Sequence, residues 1–268
     1  MFSVLILTLN EERSLPGCLA SVCECDDVVV LDSGSTDRTA EIARAAGARV
    51  FTRSFDNFAG QRNFAQREIP FRHPWVFHLD ADEQMTPELL AECRGLSAGQ
   101  VDGYLVAPKM MFEGRWIPRC TDFPAYQARL VRAPGFEFIQ VGHGQREAPH
   151  HRLGRLQSSY LHNLSTGGEA EWLAKHRRYA HAEAAEHARD RAGIPWSRLF
   201  ARDPLARRRA LKRLSYALPF RPTLRFVYQY FVRRGFLDGR AGFHYCRLLA
   251  QYEAFAVEEL RALARAQR

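Results

Sequence analysis

The feature that most constrains the fold of this chain is an apolar run that ends abruptly in two carboxylates. Residues 75–79 read Trp-Val-Phe-His-Leu, and Asp80 and Asp82 follow within three positions. If the run is a buried strand, residues two positions apart point to the same side, so both carboxylates project together from its carboxyl end. Ligands of open α/β sheets bind at that edge, and paired carboxylates there suit Mg²⁺ or Mn²⁺ held jointly with a diphosphate. The alternative interpretation is an acidic surface turn, because Asp-x-Asp is short and common.

The N-terminal residues alternate between apolar runs and amphipathic segments. They predict strands at 2–9, 27–31 and 48–52 and helices at 13–22 and 37–46. Such alternation implies a parallel, right-handed, doubly wound sheet. Polar residues close three of the predicted strands, namely Thr8 and Asn10, then Asp32, and then Asp80 and Asp82. The sequence therefore predicts an α/β fold in which one rim of the sheet is lined by polar groups.

Beyond this sheet the chain changes character. Residues 104–112 and 126–132 are further strand candidates, and the pattern becomes helical after Gly168. Helices are predicted at 169–191, 196–218, 223–235 and 241–266. We therefore expect an α/β domain over residues 1–165 and a basic helical region over residues 166–268.

Four motifs stand in the same order and at the same spacing as in a known family. They are residues 8–12 (Thr-Leu-Asn-Glu-Glu), 32–39 (Asp-Ser-Gly-Ser-Thr-Asp-Arg-Thr), 60–65 (Gly-Gln-Arg-Asn-Phe-Ala) and 80–83 (Asp-Ala-Asp-Glu). With them the chain resembles inverting family 2 glycosyltransferases of the GT-A fold over residues 2 to about 112, and more loosely through 129–132 and 142–147. Segments of the C-terminal half, among them 171–180 and 235–242, resemble bacterial lipopolysaccharide core glycosyltransferases of the WaaE/KdtX type.

The resemblance implies a GT-A-like doubly wound, mostly parallel sheet flanked by helices, with a helical C-terminal extension. Residues 1–112 would bind the nucleotide, and residues 113–165 would form the acceptor side of the catalytic domain. The implied nucleotide-sugar contacts are made by Thr8, Asn10, Glu12, Asp32, Ser33, Arg62 and Asp80. In the family that the chain resembles, the aspartate that matches Asp32 accepts a hydrogen bond from the uracil N3–H. Arg62, in an aromatic-bearing loop over residues 55–62, faces the nucleotide, where a guanidinium can pair with phosphate oxygens. Without the resemblance, Asp32 and Asn10 fit helix capping as well, and a solvated arginine on a helix surface is the favoured interpretation of Arg62.

The resemblance also implies a metal and a general base. Asp82 would ligate Mg²⁺ or Mn²⁺, and Asp80 would hold the metal or the ribose, so that the metal neutralises charge on the departing nucleotide. Displacement at the sugar C1 by an acceptor hydroxyl, with inversion, needs a carboxylate as general base. Glu147 and Asp122 are the candidates. Glu147 is preferred because it corresponds to the Glu of a Val-His-Glu signature, although Arg146 stands where that histidine is common. His143 and His162 are possible further ligands, but an isolated histidine more often has a structural role.

Charge is divided unevenly along the chain. Residues 1–150 hold 15 Lys/Arg and 20 Asp/Glu, whereas residues 151–268 hold 23 and 10. Basic and aromatic residues alternate between 207 and 236, a composition that favours an anionic membrane surface or a lipid-linked acceptor. Plain packing of a helical region is the alternative, and nucleic acid is the least favoured partner.

The sequence also carries signals of compartment. No apolar run approaches the roughly 18 residues that a membrane-spanning helix needs, and the first residues lack the features of a signal peptide. The six cysteines are scattered without a metal-binding spacing, so free thiols are expected. We therefore expect a cytoplasmic protein with peripheral contact to the inner face of the cytoplasmic membrane.

Other classes of function fit the sequence less well. A nucleotidyltransferase would need a Gly-rich loop after the first strand, and a dinucleotide oxidoreductase would need Gly-x-Gly-x-x-Gly there, whereas residues 10–14 contain no glycine. A non-catalytic basic adaptor for membranes or nucleic acid would not need carboxylates at the strand ends.

The resemblance therefore leads us to expect transfer of a sugar, with UDP-glucose the leading donor, to an anionic glycolipid such as a lipopolysaccharide core heptose. A polyprenyl-phosphate acceptor is the alternative.

Overall fold

The computed structural model describes residues 1–96, 99–141, 144–189, 200–201, 207, 210–211, 214–216 and 218–266. The chain divides into two compact units. The first consists of Met1–Trp116 and Asp122–Thr166, and the second of Ile117–Thr121 and Gly167–Arg268. The segment Ile117–Thr121 therefore groups with C-terminal residues although it lies in the middle of the sequence.

The first unit is an α/β structure. Its described strands are β1 (Ser3–Thr8), β2 (Val28–Asp32), β3 (Arg49–Thr52), β4 (Trp75–Asp80), β5 (Glu83–Gln84), β6 (Gly103–Val106), β7 (Pro108–Phe112), β8 (Arg115–Trp116), β9 (Gln127–Arg132), β10 (Phe138–Val141), β11 (Gly144–Glu147), β12 (Leu153–Arg155) and β13 (Tyr160–Asn163). Its described helices are α1 (Leu15–Ser21), α2 (Thr39–Ala45), α3 (Phe58–Glu68) and α4 (Pro87–Arg94).

A seven-stranded sheet forms the centre of this unit, in the order β12-β6-β9-β4-β1-β2-β3. Strand β1 runs parallel to both β2 and β4, β2 is parallel to β3, and β12 is parallel to β6. Strand β9 is antiparallel to β4 and β6. The chain moves outward from β1 to β3 and then returns to the other side of β1, so the strand order reverses between β1 and β4. The mostly parallel sheet confirms the predicted fold class, and this reversal is where open α/β sheets bind ligands.

Strand β1 is buried on both faces, as its near-continuous apolar sequence predicts. Val4 and Ile6 pack into the apolar cluster that contains residues of α1 and α4. Leu5 and Leu7 point to the opposite face, where they join Ala65 of α3. This two-sided burial fixes the register of the central strand, because a slip of one residue would exchange the two faces.

Two further features of the first unit differ from the predictions. The predicted strand 104–112 is two strands, since β6 belongs to the central sheet and β7 pairs with β13 and β8 in a four-stranded sheet. The break falls at Ala107, immediately before Pro108, which has no N–H to donate to a ladder. The predicted loop 55–62 is helical from Phe58 onward, because Asn57 caps α3 by accepting a hydrogen bond from the backbone N of Gly60 at 2.7 Å.

The second unit is helical, as predicted for the C-terminal extension. It contains α5 (Gly168–Arg189), α6 (Arg221–Val227), a turn of π-helix (Tyr228–Val232), a 3₁₀ turn (Gly235–Asp238) and α7 (Gly239–Ala266). Asp238 contacts the segment Ile117–Thr121, which belongs to this unit. Its Oδ2 accepts hydrogen bonds from the backbone N of Arg119 at 2.9 Å and of Cys120 at 2.8 Å. Most of the predicted helix 196–218 lies outside the described residues. Within the described part of the chain, no helix has the length and apolar character needed to cross a membrane.

Candidate active site

The carboxyl ends of β1, β2 and β4 meet at one edge of the central sheet. Thr8 pairs with Asp32, and Leu7 pairs with Asp80, so the three strands end in register. The structure therefore brings together the polar strand ends that the sequence analysis singled out. Their predicted roles in binding a nucleotide sugar stay predictions.

Asp32 organises the turn after β2. Its carboxylate is buried and accepts hydrogen bonds from Thr8 Oγ1 at 2.8 Å, Ser35 Oγ at 2.5 Å, and the backbone N of Gly34 and Ser35 at 3.1 and 2.8 Å. These four donors match the capacity of an ionised carboxylate. A bond from uracil N3–H to Asp32 would therefore replace one from a hydroxyl, and the hydroxyls of Thr8 and Ser35 can rotate.

Asn10 and Glu12 join the loop after β1 to the loop after β2. The backbone N of Asn10 donates to Ser35 Oγ, and Asn10 Oδ1 accepts from the backbone N of Thr36, each at 2.8 Å. Glu12 accepts from the backbone N of Arg38 at 3.3 Å. Asn10 has a φ of 56°, a conformation that asparagine tolerates better than most residues. Both side chains are exposed, so the two loops form a cross-linked rim beside the strand ends.

Ser33 connects this rim to α3. Its backbone N donates to the carbonyl oxygen of Thr8 at 2.9 Å, and its hydroxyl accepts from Gln61 Nε2 at 3.5 Å. Gln61 is buried and also donates to the backbone oxygen of Ser54 at 3.1 Å. The position after Asp32 is therefore held by both the sheet and the helix.

Two arginines hold Asp80. Arg62, 1% exposed on α3, donates to Asp80 Oδ1 at 2.7 Å, and Arg129 of β9 lies 3.5 Å from Asp80 Oδ2. Although burial works to raise it, the positive charges of Arg62 and Arg129 hold the pKa of Asp80 below its usual range. The Nε and one terminal nitrogen of Arg62 are buried without a hydrogen-bond partner in the described structure. Asp80 is therefore anionic and oriented, and two donors of Arg62 are left without a partner in the described structure.

A second group of charged side chains extends from Arg129 to Asp82. Arg129 donates to Glu83 Oε1 at 2.6 Å, and Glu83 Oε2 accepts from the backbone N of Asp80 at 2.8 Å. His162 of β13 stands between two carboxylates, with Nδ1 3.4 Å from Glu83 and Nε2 3.5 Å from Asp82. Burial raises the pKa of Glu83 despite Arg129. Burial works to lower the pKa of His162, but the hydrogen bond and charge of Asp82 raise it to about 9.

The metal ligands can be tested against this geometry. Within the described residues, no three His, Cys, Asp or Glu side chains are grouped so that they could hold a metal ion by themselves. Asp82 offers a carboxylate oxygen beside His162, whereas both oxygens of Asp80 face arginines. A divalent cation here would complete its shell with phosphate oxygens and water, which is how Mg²⁺ usually binds in proteins. The residues fit such a shared site, with Asp82 as the protein carboxylate.

A cleft of about 330 Å³ adjoins these groups. It is lined by Phe58, Arg62, Asp80, Ala125, Tyr126, Gln127, Ala128, Phe138, Gly144, Gln145, Arg146 and Glu147. Gln145 Oε1 is a further buried polar atom without a hydrogen-bond partner in the described structure. Unpartnered buried donors and acceptors on one cleft are typical of a site that binds a polar ligand.

The two candidates for the general base lie in different surroundings. Glu147 is half-buried at the end of β11, opposite Phe138 of β10, and lines the cleft with Arg62 and Asp80. Asp122 is exposed and does not line the cleft. The cleft therefore favours Glu147. Gly142 and His143, which precede β11, lie outside the described residues.

Sequence reasoning missed the residues that support Asp80 and Asp82. From the sequence, Arg129 belongs to a predicted strand and Glu83 ends the Asp-Ala-Asp-Glu motif, and neither is assigned a contact. A structural role is the favoured interpretation of His162. Arg129 carried one usable signal, because a charged residue in the middle of an apolar strand needs a buried partner. The partner itself, Glu83, could only be identified from the pairing of strands.

Comparison with known proteins shows sequence similarity to glycosyltransferases. Residues 3–115 match the model of the family described as Glycosyl transferase family 2. The lipopolysaccharide core biosynthesis glycosyltransferase LpsC of Rhizobium meliloti (strain 1021) is 36% identical over 117 residues, which cover 39% of this chain and 41% of that protein. An uncharacterized glycosyltransferase of Rickettsia bellii (strain RML369-C) is 37% identical over 105 residues, 38% of this chain and 35% of that protein. The chain thus spans well under half of the length of these relatives.

Two solved structures extend over most of the chain. The mannosyltransferase PcManGT from Pyrobaculum calidifontis, in complex with GDP-Man and Mn²⁺, aligns with a TM-score of 0.49 at 17% identity and covers 97% of this chain and 86% of its own. TarS residues 1–349 of S. aureus align with a TM-score of 0.45 at 16% identity, covering 100% of this chain and 91% of its own. The likeness rests on sequence, since residues 3–115 of this chain match the glycosyl transferase family 2 model.

Proposed function

We propose that this protein is a metal-dependent inverting glycosyltransferase that moves a sugar from a UDP-sugar to a hydroxyl of a lipopolysaccharide core glycan. The observation that carries the proposal is the cleft that Glu147 shares with Arg62 and Asp80, two residues of the segment 3–115 that matches the family 2 model. The relative LpsC, named for lipopolysaccharide core biosynthesis, supports the class of acceptor. Residues 1–165 are proposed as the catalytic domain, with the nucleotide side in 1–112 and the acceptor side in 113–165, and residues 166–268 as its basic helical region.

The donor would lie along the strand ends. Thr8, Asn10, Glu12, Asp32 and Ser33 form the rim proposed for the base and ribose. Arg62 would pair with the diphosphate through its unpartnered nitrogens, because a guanidinium offers a fork of donors to phosphate oxygens. The hydrogen bond to Asp80 fixes the Arg62 side chain, and it leaves those two nitrogens without a hydrogen-bond partner in the described structure.

Mg²⁺ or Mn²⁺ is proposed as the cofactor, held by Asp82 with His162 beside it. When bound, such a cation supplies positive charge that stabilises the departing diphosphate. Asp80 serves as an anionic group fixed between Arg62 and Arg129, and Glu83 fixes the turn by accepting from the backbone N of Asp80. These contacts hold the start of the turn that follows β4, in which Asp82 lies.

Glu147 is proposed as the general base. An acceptor hydroxyl oxygen attacks C1 of the donor sugar, its proton passes to Glu147, and the bond from C1 to the phosphate oxygen breaks, so that UDP leaves. The half-buried position of Glu147 allows it to meet an acceptor that enters the cleft from solvent. A heptose hydroxyl is the proposed acceptor group, glucose is the proposed sugar, and a polyprenyl phosphate is the alternative acceptor.

Calorimetry with a panel of nucleotides and nucleotide sugars, with and without Mn²⁺, tests the donor assignment. The expected result is metal-enhanced binding of UDP and of one UDP-sugar in preference to the others. Absence of binding by any nucleotide would overturn the proposal and leave a non-catalytic basic adaptor as the better account. The acceptor is then tested by transfer from the preferred donor to lipopolysaccharide core acceptors and to polyprenyl phosphate.

The proposed location is the cytoplasm, with peripheral contact to the inner face of the cytoplasmic membrane. The excess of basic residues in 151–268 supports an anionic partner there.

A further inference from the structure

The helical segment that starts at Phe220 turns its apolar side chains toward solvent. Exposed apolar residues recur every three or four positions through α6 and the π-helical turn, at Phe220, Leu224, Tyr228, Phe231 and Val232. Phe220 is 79% exposed, Val232 65% and Phe231 57%. A helix on the surface of a water-soluble protein normally buries such a stripe. We call these five side chains, together with the exposed Phe236, the apolar face.

The opposite side of the same segment is polar and turned inward. Arg221, 6% exposed, forms an ion pair with Glu253 at 2.7 Å and lies 3.8 Å from the ring centre of Tyr216. Gln229, 4% exposed, donates to the backbone oxygen of Cys120. Arg233 donates to the backbone oxygen of Thr121 at 2.7 Å. These polar side chains therefore contact other groups of the second unit and do not face solvent. Their contacts hold the segment with its polar side inward and its apolar side outward.

Ring contacts make the exposed aromatic residues continuous. The ring of Tyr230 lies 5.1 Å from that of Phe231, 6.2 Å from Phe236 and 5.6 Å from Phe243, and the last three are exposed. Scattered apolar residues are normal on a protein surface, but a contiguous patch marks an interaction site.

The backbone at both ends of the segment adopts a left-handed conformation. Phe220 has a φ of 54° and Arg234 a φ of 60°, a region that bulky residues rarely adopt. Both side chains are exposed, so neither is held there by burial. Strain of this kind commonly occurs at functional positions.

Charge identifies the class of partner. Residues 218–243 contain five arginines and one acidic residue, Asp238, which is buried. Arg234 and Arg240 are exposed. A second copy of this surface would bring like charges together across a two-fold interface, which is unfavourable. Nucleic acid would need a row of exposed cations along its backbone, whereas three of the five arginines, Arg221, Arg225 and Arg233, are buried or half-buried. Exposed rings bordered by arginines match the interface of a bilayer with anionic headgroups.

We propose that the apolar face is a docking surface for an anionic lipid bilayer. Its aromatic and aliphatic side chains would enter the boundary between headgroups and acyl chains, and Arg234 and Arg240 would pair with lipid phosphates. The proposal concerns lipid binding alone and does not depend on the proposed transfer reaction.

The first test is flotation of the full-length protein with vesicles of phosphatidylcholine, with and without phosphatidylglycerol. Wild type should bind the anionic vesicles preferentially, and added salt should weaken binding only in part, because salt screens charge but not apolar insertion. The double variant Phe231→Ser, Phe236→Ser should partition about tenfold more weakly. Tyr179→Ser is the matched control, since Tyr179 is an exposed aromatic residue on α5 outside the apolar face, and it should bind like wild type.

Two single variants separate insertion from loss of folding. Phe220→Asn places a residue that tolerates positive φ at a strained position, so thermal stability should be retained or raised while vesicle binding falls. Phe231→Trp should show new fluorescence quenching by lipids with brominated acyl chains, beyond that of the four native tryptophans.

Equal vesicle binding by wild type and the double variant would overturn the proposal. Failure of the wild-type protein to bind anionic vesicles would overturn it as well. If sedimentation shows that the double variant dissociates an oligomer while vesicle binding is unchanged, the face joins copies of the chain and the bilayer assignment is wrong. UDP binding by the same variants, measured by calorimetry, reports on the donor site separately. A loss of vesicle binding with unchanged UDP binding therefore concerns the apolar face alone.

Discussion

Arg62 of α3 donates a hydrogen bond of 2.7 Å to Asp80 at the end of β4, beside the point where the strand order of the sheet reverses. The guanidinium is buried and the carboxylate is partly exposed. This pair links the helix to the strand end, and Arg129 approaches the same carboxylate from β9 at 3.5 Å. Because two cations fix one anion, the strand end is positioned before any ligand binds.

Replacing Arg62 by lysine tests the proposed contact with phosphate. Lysine keeps the charge but loses the fork of donors, so Arg62→Lys should weaken UDP binding by ten- to about a hundredfold, the worth of one or two charged hydrogen bonds. Calorimetry measures this loss. Arg67→Lys is the matched control, since Arg67 is exposed in the last turn of the same helix. Unchanged UDP affinity in Arg62→Lys would show that Arg62 only supports Asp80.

Much of this site could be predicted from local sequence. Strand ends at Thr8, Asp32 and Asp80 follow from apolar runs that stop at polar residues, and parallel pairing then brings them to one edge. The partners of Asp80 could not be predicted in this way. Arg129 reaches it only because β9 pairs antiparallel with β4, a non-local pairing that periodicity does not encode.

The second unit shows a different limit of sequence reading. The aromatic and basic composition of residues 207–236 was consistent with packing against a core as well as with a membrane surface. Which side of the helix is buried depends on partners distant in sequence, such as Glu253 for Arg221 and Cys120 for Gln229. A pattern with period 3.6 identifies two faces but does not say which one meets solvent.

Glu147→Gln tests the general base. The amide cannot accept the proton of an acceptor hydroxyl, so transfer should fall by about 10²- to 10⁴-fold, while UDP binding stays at the wild-type level. Steady-state transfer assays and calorimetry on the same preparation measure the two effects. Asp122→Asn is the comparison, because Asp122 is exposed and does not line the cleft. If Asp122→Asn loses transfer and Glu147→Gln does not, Asp122 is the base.

Asp82→Asn tests the cation site. Loss of the carboxylate beside His162 should abolish the enhancement of UDP binding by Mn²⁺ and reduce transfer, since an amide is a weaker ligand for hard cations. Binding of UDP in the absence of metal should change little. Titration of UDP with and without Mn²⁺ measures the difference, and Glu68→Gln, an exposed carboxylate on α3, serves as the control. Retention of the full Mn²⁺ effect in Asp82→Asn would exclude Asp82 as a ligand.

Asp27 offers a prediction on stability that is independent of function. Its buried carboxylate accepts from Ser3 Oγ at 2.5 Å, from the backbone N of Arg72 at 2.8 Å and from the guanidinium of Arg49 at 2.8 Å. Burial works to raise the pKa of Asp27, but the hydrogen bonds from Ser3, Arg72 and Arg49 hold it below its usual value. Asp27→Asn should therefore lower the free energy of unfolding at neutral pH by about 2–3 kcal/mol, the range for hydrogen bonds to a charged group.

The pH dependence of that loss follows from the direction of the shift. Because the pKa of Asp27 is lower in the folded state, its contribution is complete above the unfolded value of about 3.9 and disappears as the pH falls through the folded pKa. Urea unfolding should show the full difference between wild type and Asp27→Asn at neutral pH and a shrinking difference below about pH 4. Asp26→Asn, at the neighbouring exposed carboxylate, should cost little at any pH. A difference for Asp27→Asn that persists unchanged in acid would show that the ionised carboxylate is not what stabilises the fold here.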